Sequence, residues 1–233
     1  PVGSEVNQAL LSYSVDSSNR LAAGRQRINH GSQRFVGGVG WRQNEQTFDA
    51  LAYQHRSAGL ELNYSYLWNV NRIFGGSGSS VQAKDLDSDS HVFTATFKPA
   101  WGNVSVFGYA LDFTDAATLS SVTYGVSYAG DMGPFAINAS VASQSDHGAN
   151  PVNYRADYLA FDGSYQLGSV NVLIGYELLG SDGGEAAFQT PLATLHKFQG
   201  WADLFLSTPA TGIDDSYMTL SGKTGPLSLA ATY

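Results

Sequence analysis

The chain alternates between apolar and polar residues over long stretches. In the segment 60–70, LELNYSYLWNV, every second residue is apolar, and all the intervening residues except Leu67 are polar. The segments 121–129, 135–144 and 170–178 follow largely the same alternation. Because successive side chains of a strand point to opposite faces, a period of two predicts strands with one apolar and one polar face.

The same pattern, followed along the whole chain, predicts about twelve strands. Their expected bounds are 5–15, 20–28, 47–56, 60–70, 91–98, 103–113, 120–129, 135–144, 155–167, 170–179, 215–223 and 227–233. Within 103–113 the period shifts, since Val104 and Val106 share one face whereas Phe107 and Tyr109 share the other. Such a shift predicts a β-bulge near Gly108.

The predicted connections alternate between short and long. The short ones lie at 16–19, 57–59, 99–102, 130–133, 168–169 and 224–226, and the long ones at 29–46, 71–90, 145–154 and 180–214, with an intermediate one at 114–119. In an up-and-down meander every second connection lies at the same end of the sheet. Short turns at one end and long loops at the other are typical of outer-membrane β-barrels, and strands near ten residues suit a tilted membrane crossing.

A soluble β-sandwich or soluble barrel also alternates apolar and polar positions. Two features favour the membrane version. The polar faces are rich in Asn, Ser, Thr and Gly rather than Lys and Glu, as a barrel lumen requires. Aromatic residues that suit interfacial girdles lie near strand ends, at Tyr64, Tyr66, Trp68, Trp101, Tyr128, Tyr165 and Tyr176. The prediction is an all-β, transmembrane antiparallel up-and-down barrel that occupies residues 1–233 as a single domain.

Charge is distributed unevenly along the chain. The formal net charge is −8, yet six of the eight arginines fall between Arg20 and Arg56, where Glu45 and Asp49 are the only acids and the local charge is +4. The chain has no cysteine, which rules out disulfides and thiolate metal sites within it. The basic cluster is too short and the whole chain too acidic to predict a nucleic-acid partner.

The arginine-rich stretch 24–51, GRQRINHGSQRFVGGVGWRQNEQTFDAL, resembles the alginate-export family of bacterial outer-membrane porins. NVNRIFG at 69–75, WADLFLSTP at 201–209 and GIDDSY at 212–217 resemble the same family more weakly. The resemblance implies passive diffusion of anionic solutes, such as alginate or related acidic oligosaccharides, across the outer membrane of a Gram-negative bacterium without a cofactor. Members of this family have more than twelve strands, so the chain is expected to be part of a larger barrel, truncated at both ends.

The arginines are the predicted pore-lining and solute-binding residues. Arg25 and Arg27 share a strand face, and each would cost roughly 2–4 kcal/mol at the lipid midplane, so they are expected in the lumen or at its rim. A glycine-rich loop could carry two more guanidinium groups into the lumen, where they would attract carboxylates. The predicted set is Arg25, Arg27, Arg34, Arg42, Arg56 and Arg72.

A second interpretation of the arginines is that they are neutralised by acids. Glu45, Asp49 and Glu61 are predicted lumen acids that could pair with them and stiffen the barrel without selecting any solute. The pattern alone leaves anion selection and structural pairing both open. A structural or adhesive barrel with a plugged lumen is therefore the alternative function.

Other candidate sites are weaker. Asp85, Asp87 and Asp89 have alternating spacing that could bind Ca²⁺, but Ser90 stands where the calcium loop needs glycine, so a solvated loop is expected. The five histidines show no metal-binding spacing, which leaves no predicted metal site. No serine lies in a GxSxG motif, and no nucleophile–base set can be assembled, so a hydrolase is the least favoured function.

Overall fold

Twelve strands form a single antiparallel sheet in which each strand pairs with its neighbours along the chain. The structure, a computed structural model, describes residues 6–42, 44–74, 83–199 and 204–233. A two-stranded hairpin, β11 with β12, lies between the tenth and eleventh strands of the large sheet. The strands are β1 (Ala9–Ser14), β2 (Asn19–Gln26), β3 (Thr47–Arg56), β4 (Leu60–Asn71), β5 (Asp85–Phe97), β6 (Asn103–Leu111), β7 (Ser121–Met132), β8 (Phe135–Asp146), β9 (Arg155–Leu167), β10 (Val170–Leu179), β11 (Ser181–Asp182), β12 (Ala186–Ala187), β13 (Ile213–Thr224) and β14 (Leu227–Thr232).

The predicted meander of twelve strands is confirmed, and β1 and β14 are the two edges of its sheet. Short turns join the strands at one end, and several of them use glycines in the left-handed region, for example Gly133 with φ 65° and Gly168 with φ 60°. The long connections lie at the other end, as the alternation of loop lengths predicts. None of the helices among the described residues is long and apolar enough to cross a membrane.

The two faces of the sheet differ in chemistry. One face, called the outer face here, carries exposed apolar side chains such as Val141 (53% exposed) and Ile174 (61% exposed). The other, the inner face, carries small polar side chains such as Thr96 and Ser105, whose hydroxyls lie 2.8 Å apart across β5 and β6. The sheet therefore buries its polar side and exposes its apolar side, the reverse of a soluble sandwich.

The predicted bulge near Gly108 is wrong. Pairing of β5 with β6 runs without a shift through Thr94↔Phe107 and Val92↔Tyr109. Phe107 and Tyr109 therefore point to the inner face, where both are buried, because connecting loops fold against them there. The hydrophobic phase changes at Phe107 because the inner face contacts connecting loops there, and the strand itself continues without a break.

A true irregularity lies in β4 at Trp68. The register of β4 with β3 skips this residue, since Ala50 pairs with Leu67 and Asp49 with Asn69. The extra residue turns the strand, so that Leu67 and Val70 are both fully buried although the alternation predicts opposite faces for them.

The acidic segment before His91 is strand rather than the expected solvated loop. β5 begins at Asp85 and pairs with the end of β4 through Asn71↔Asp85 and Asn69↔Asp87. Asp85, Asp87 and Asp89 are exposed and alternate with buried residues, so they share the outer face. Among the described residues, no group of three acidic or histidine side chains could hold a metal ion.

Candidate functional site

Two connections fold back against the inner face and contact each other there. Inner loop 1 is the described residues 27–42 and 44–46, between β2 and β3, and inner loop 2 is residues 188–199, which follow β12. An isolated parallel bridge joins Val36 to Leu192, and the Gly37 amide donates to the Leu192 carbonyl at 2.9 Å. The Gln46 side chain donates to the carbonyls of both Gly37 and Leu192, which fastens the two loops together at their centre.

An aromatic cluster anchors inner loop 1 to the sheet. The Phe35 ring lies 5.0 Å from Phe107 on β6, 5.1 Å from Tyr158 on β9 and 5.9 Å from Phe188 in inner loop 2, measured between ring centroids. Contacts with two strands and a second loop at once require the inner face to be concave around Phe35. Ring pairs at these separations contribute about 0.5–1.5 kcal/mol each beyond their burial.

A buried ion pair adds a polar connection beside this cluster. Arg34 donates from Nε to Glu177 Oε1 on β10 at 2.5 Å, and from Nη1 to Thr190 Oγ1 at 3.1 Å. The Tyr158 hydroxyl donates to the same Glu177 oxygen at 2.6 Å, and Gln199 contributes to the network from inner loop 2. Both charges are buried but well satisfied by hydrogen bonds, which is the condition for an internal pair to persist.

The other predicted arginines occupy several environments. Arg27 pairs with Glu45 through Nε–Oε2 at 2.6 Å, and that hydrogen bond holds the pKa of Glu45 below its usual value. Arg56 lies 3.4 Å from Glu61, which also accepts from Lys98 at 2.9 Å. The predicted lumen acids Glu45 and Glu61 are therefore each paired with a cation.

Arg25 lies on the outer face, at the loop end of β2, rather than on the inner face. It pairs in register with Asp49 on β3 and bonds it through Nε–Oδ1 at 2.8 Å. Asn71 donates to the same carboxylate at 3.2 Å. By strand alternation these residues share a face with the exposed Leu51, so they form a polar band at the end of the outer face where the long loops begin.

Arg72 and Arg42 lie near the ends of the inner loops. The Arg72 guanidinium stacks on the Phe74 ring at 4.8 Å and donates to the Pro191 carbonyl at 3.3 Å, and burial lowers its pKa to about 10. Arg42 is exposed and its amide donates to the Val39 carbonyl at 3.1 Å. Residues of inner loop 2 lie beside both arginines, and the linear sequence does not reveal this proximity.

Among the described residues, two of the cavities lie between the inner loops and the sheet and have room for a solute. The larger one, the main cavity, has a volume of about 690 Å³ and is lined by hydroxyl, amide and aromatic side chains. Its described lining includes the charged residues Arg34, Glu61, Asp162, Glu177 and Lys197.

The smaller one, the basic cavity, has a volume of about 320 Å³. It is lined by Arg20 and Arg27, and the described part of its lining contains no acidic residue. Asn29, His30 and Asn63 line both cavities and therefore form the boundary between them.

Several of these lining residues were missed by the sequence interpretation. Arg20 belongs to the basic cluster, but the period of its segment assigns it no face, because Leu21 and Ala23 alternate in phase with the arginines at 25 and 27. His30 and Lys197 lie in loops, where no periodicity indicates a direction. Asp162 falls in the predicted strand 155–167, and the alternation of that strand could have assigned it to the polar face.

No family model and no curated protein matches the chain. Similarity is found among solved structures. The chain superimposes on OccD3 (OpdP) of Pseudomonas aeruginosa with a TM-score of 0.61 and 13% identity over 88% of this chain and 50% of that chain. It superimposes on OccAB2 of Acinetobacter baumannii with a TM-score of 0.62 and 14% identity over 89% of this chain and 53% of that chain. A BenF-like porin from Pseudomonas fluorescens superimposes with a TM-score of 0.54 and 12% identity over 91% of this chain and 61% of that chain.

The fold is that of outer-membrane porins. The chain spans about half the length of the first two of these structures. In a porin barrel the apolar face meets lipid and the polar face lines the lumen, which matches the inversion seen in this sheet. The two inner loops therefore lie on the face of the sheet that corresponds to the lumen side of those porins.

Proposed function

We propose that the protein is a bacterial outer-membrane channel through which small anionic solutes diffuse. The observation that carries the proposal is the basic cavity, which is lined by two arginines and, as far as the described residues go, by no acid. Outer-membrane lipid surrounds the barrel in this proposal, and neither a cofactor nor an enzymatic activity is part of it.

The basic cavity has the chemistry of a weak anion site. Arg20 has no ion-pair partner among the described residues, whereas Arg27 shares its charge with Glu45. Guanidinium groups keep their charge at all physiological pH values and fit carboxylates bidentately. Amide side chains that can donate to a solute complete the lining, at Gln8, Gln26, Asn29, Gln54 and Asn63.

The finer identity of the solute is part of the same proposal. The resemblance of 24–51 to the alginate-export family favours alginate or related acidic oligosaccharides. One similar structure, OpdK of Pseudomonas aeruginosa, is a complex with vanillate, with a TM-score of 0.60 and 12% identity over 88% of this chain and 55% of that chain. Both solutes are carboxylates, so a carboxylate is the chemistry that we propose for the site. Of the predicted pore residues, Arg27 lines the basic cavity and Arg34 lines the main cavity. Arg20, which is not in the predicted set, also lines the basic cavity.

Ion selectivity in planar bilayers tests the proposal. Full-length protein in a salt gradient should give a reversal potential of anionic sign, because fixed lumen cations concentrate anions. Arg20→Gln with Arg27→Gln should move the reversal potential toward zero. The matched control is Arg155→Gln, at the exposed start of β9, which should leave it unchanged. Cation selectivity in the wild type would overturn the anionic assignment, and absence of conductance would overturn the channel.

A plugged structural barrel is the second candidate, and one observation favours it. Inner loops 1 and 2 bury a continuous apolar core within the lumen, including the fully buried Val36, Phe188 and Leu192. A barrel held shut by this core would not conduct until the core is weakened. Conductance that appears only in a Phe35→Ala variant would support this second candidate over the first.

A further inference from the structure

We propose that Gly175 and Gly125 set the width of the main cavity, because each allows an aromatic ring to lie flat against the barrel wall. This inference rests on the proposed function, since it names the residues that limit which solutes pass by size. It concerns the wall of the cavity and not its charge.

Gly175 and Tyr217 are the clearer pair. They face each other in register on β10 and β13, beside Asp162 on the other neighbouring strand. Asp162 and Tyr217 both line the main cavity, which places Gly175 on the inner face. A methyl group added to Gly175 would lie 2.2 Å from Cζ and 2.4 Å from Oη of Tyr217. The phenol ring therefore occupies the space that any side chain at Gly175 would need.

Gly125 and Phe107 repeat the arrangement on β7 and β6. They pair in register, and a methyl group on Gly125 would lie 2.4 Å from Cζ of Phe107. Phe107 lines the main cavity and packs against Phe35 of inner loop 1. Two aromatic rings on separate parts of the inner face thus lie over glycines instead of projecting into the lumen.

Gly175 must be glycine because a larger side chain has no room there, and not because of its backbone conformation. Its φ lies outside the left-handed region, so alanine fits its backbone conformation without strain. The three atoms nearest to the added methyl all belong to the far end of the Tyr217 side chain, which can rotate away. At Gly125 the carbonyl oxygen of Val141 would also be only 2.5 Å away, so Gly175 gives the cleaner experiment.

Alanine at Gly175 should turn the Tyr217 ring away from the wall and into the main cavity. The matched control is Gly108→Ala, an identical change inside β6 at a position where an added methyl meets no atom within 4 Å. The readouts are single-channel conductance of the full-length protein and the largest uncharged polyethylene glycol that enters the channel. We expect Gly175→Ala to lower both, Gly108→Ala to change neither, and Tyr217→Ala to raise both.

The double variant Gly175→Ala with Tyr217→Ala separates this mechanism from general damage. Without the ring, the added methyl has nothing to displace, so conductance and polymer size should return at least to the wild-type values. A reduction that persists in the double variant would overturn the assignment, as would wild-type polymer exclusion in either Gly175→Ala or Tyr217→Ala. A wild type that does not conduct overturns the proposed function instead, so the two failures are distinguishable.

Discussion

Arg34 donates a hydrogen bond to Glu177 at 2.5 Å although 143 positions separate them in the chain. The pair joins inner loop 1 to β10 and is almost fully buried on both sides. It holds inner loop 1 against the inner face of the sheet. Removing one member of a buried pair leaves the other charge uncompensated, which makes the pair a sensitive point of the fold.

Arg34→Met should lower the free energy of unfolding by about 3–5 kcal/mol, because Glu177 then remains buried without a cation. Urea unfolding of the protein in detergent micelles measures this change. Glu177→Gln introduced into the Arg34→Met background removes the uncompensated charge and should restore much of the loss. If the single variant is as stable as the wild type, the pair does not hold the loop.

Glu45 should make the attachment of inner loop 1 sensitive to acid. The hydrogen bond from Arg27 holds the pKa of Glu45 below its ordinary value of 4.5, against the opposing effect of burial. A carboxyl group with a depressed pKa stabilises the fold above its unfolded pKa, and the stabilisation is lost as the pH falls through the folded value. The wild type should therefore lose stability below about pH 4.5, and Glu45→Gln should lose less over the same range.

The measurement for Glu45 is the urea midpoint at neutral and at acid pH. Glu185→Gln is the control, because Glu185 is an exposed residue in the β11–β12 turn. It should retain the full acid sensitivity of the wild type. Equal acid sensitivity in Glu45→Gln and the wild type would show that the Arg27–Glu45 pair does not anchor the loop.

The outer-face polar band should lie above the hydrocarbon layer. Asp87 lies on the outer face at the loop end of β5. Because the chain contains no cysteine, Asp87→Cys introduces a single thiol at that end of the face. A membrane-impermeant maleimide should label this thiol in intact cells, whereas Phe93→Cys, on the same face six residues further along β5, should be protected by lipid. Labelling at both positions would place the membrane boundary elsewhere.

The strands could be predicted from sequence because their signal is local. A period of two sets the faces of β7 to β10 within the segment itself, and the alternation of loop lengths then gives the order of the strands. The positions of the inner loops depend instead on contacts between residues that are distant in the sequence. Phe107 and Tyr109 lie on the inner face by strand register, and their rings contact Phe35 and His30 of inner loop 1. No local pattern records these contacts.

The candidate site could be predicted only in part for the same reason. Arg34 is a predicted pore residue of the glycine-rich loop, but no local pattern pairs it with Glu177, which lies 143 positions further along the chain. Arg25 was expected to share a face with Arg27, yet β2 ends at Gln26, and alternation does not extend into the loop. Whether the arginines select anions or only stabilise the lumen stays a prediction for the bilayer experiment.

His30 should make the stability of inner loop 1 depend on pH between its free and buried pKa values. Its side chain is buried at the boundary between the two cavities, and the ring lies 5.8 Å from Tyr109. No described residue forms a hydrogen bond with Nδ1. Burial lowers the pKa of His30 from 6.5 to about 4. Between these values the unfolded chain binds more protons than the folded one, so the free energy of unfolding decreases as the pH falls, by up to about 3 kcal/mol.

His30→Gln should remove this dependence, because glutamine does not titrate. Urea unfolding at a series of pH values between about 4 and 7 measures the slope, which for one such group is about 1.4 kcal/mol per pH unit. His147→Gln is the matched control, since His147 is exposed in the turn between β8 and β9 and should leave the slope unchanged. A wild-type slope in His30→Gln would mean that His30 is protonated in the folded protein, in contact with a carboxylate or with water in the lumen.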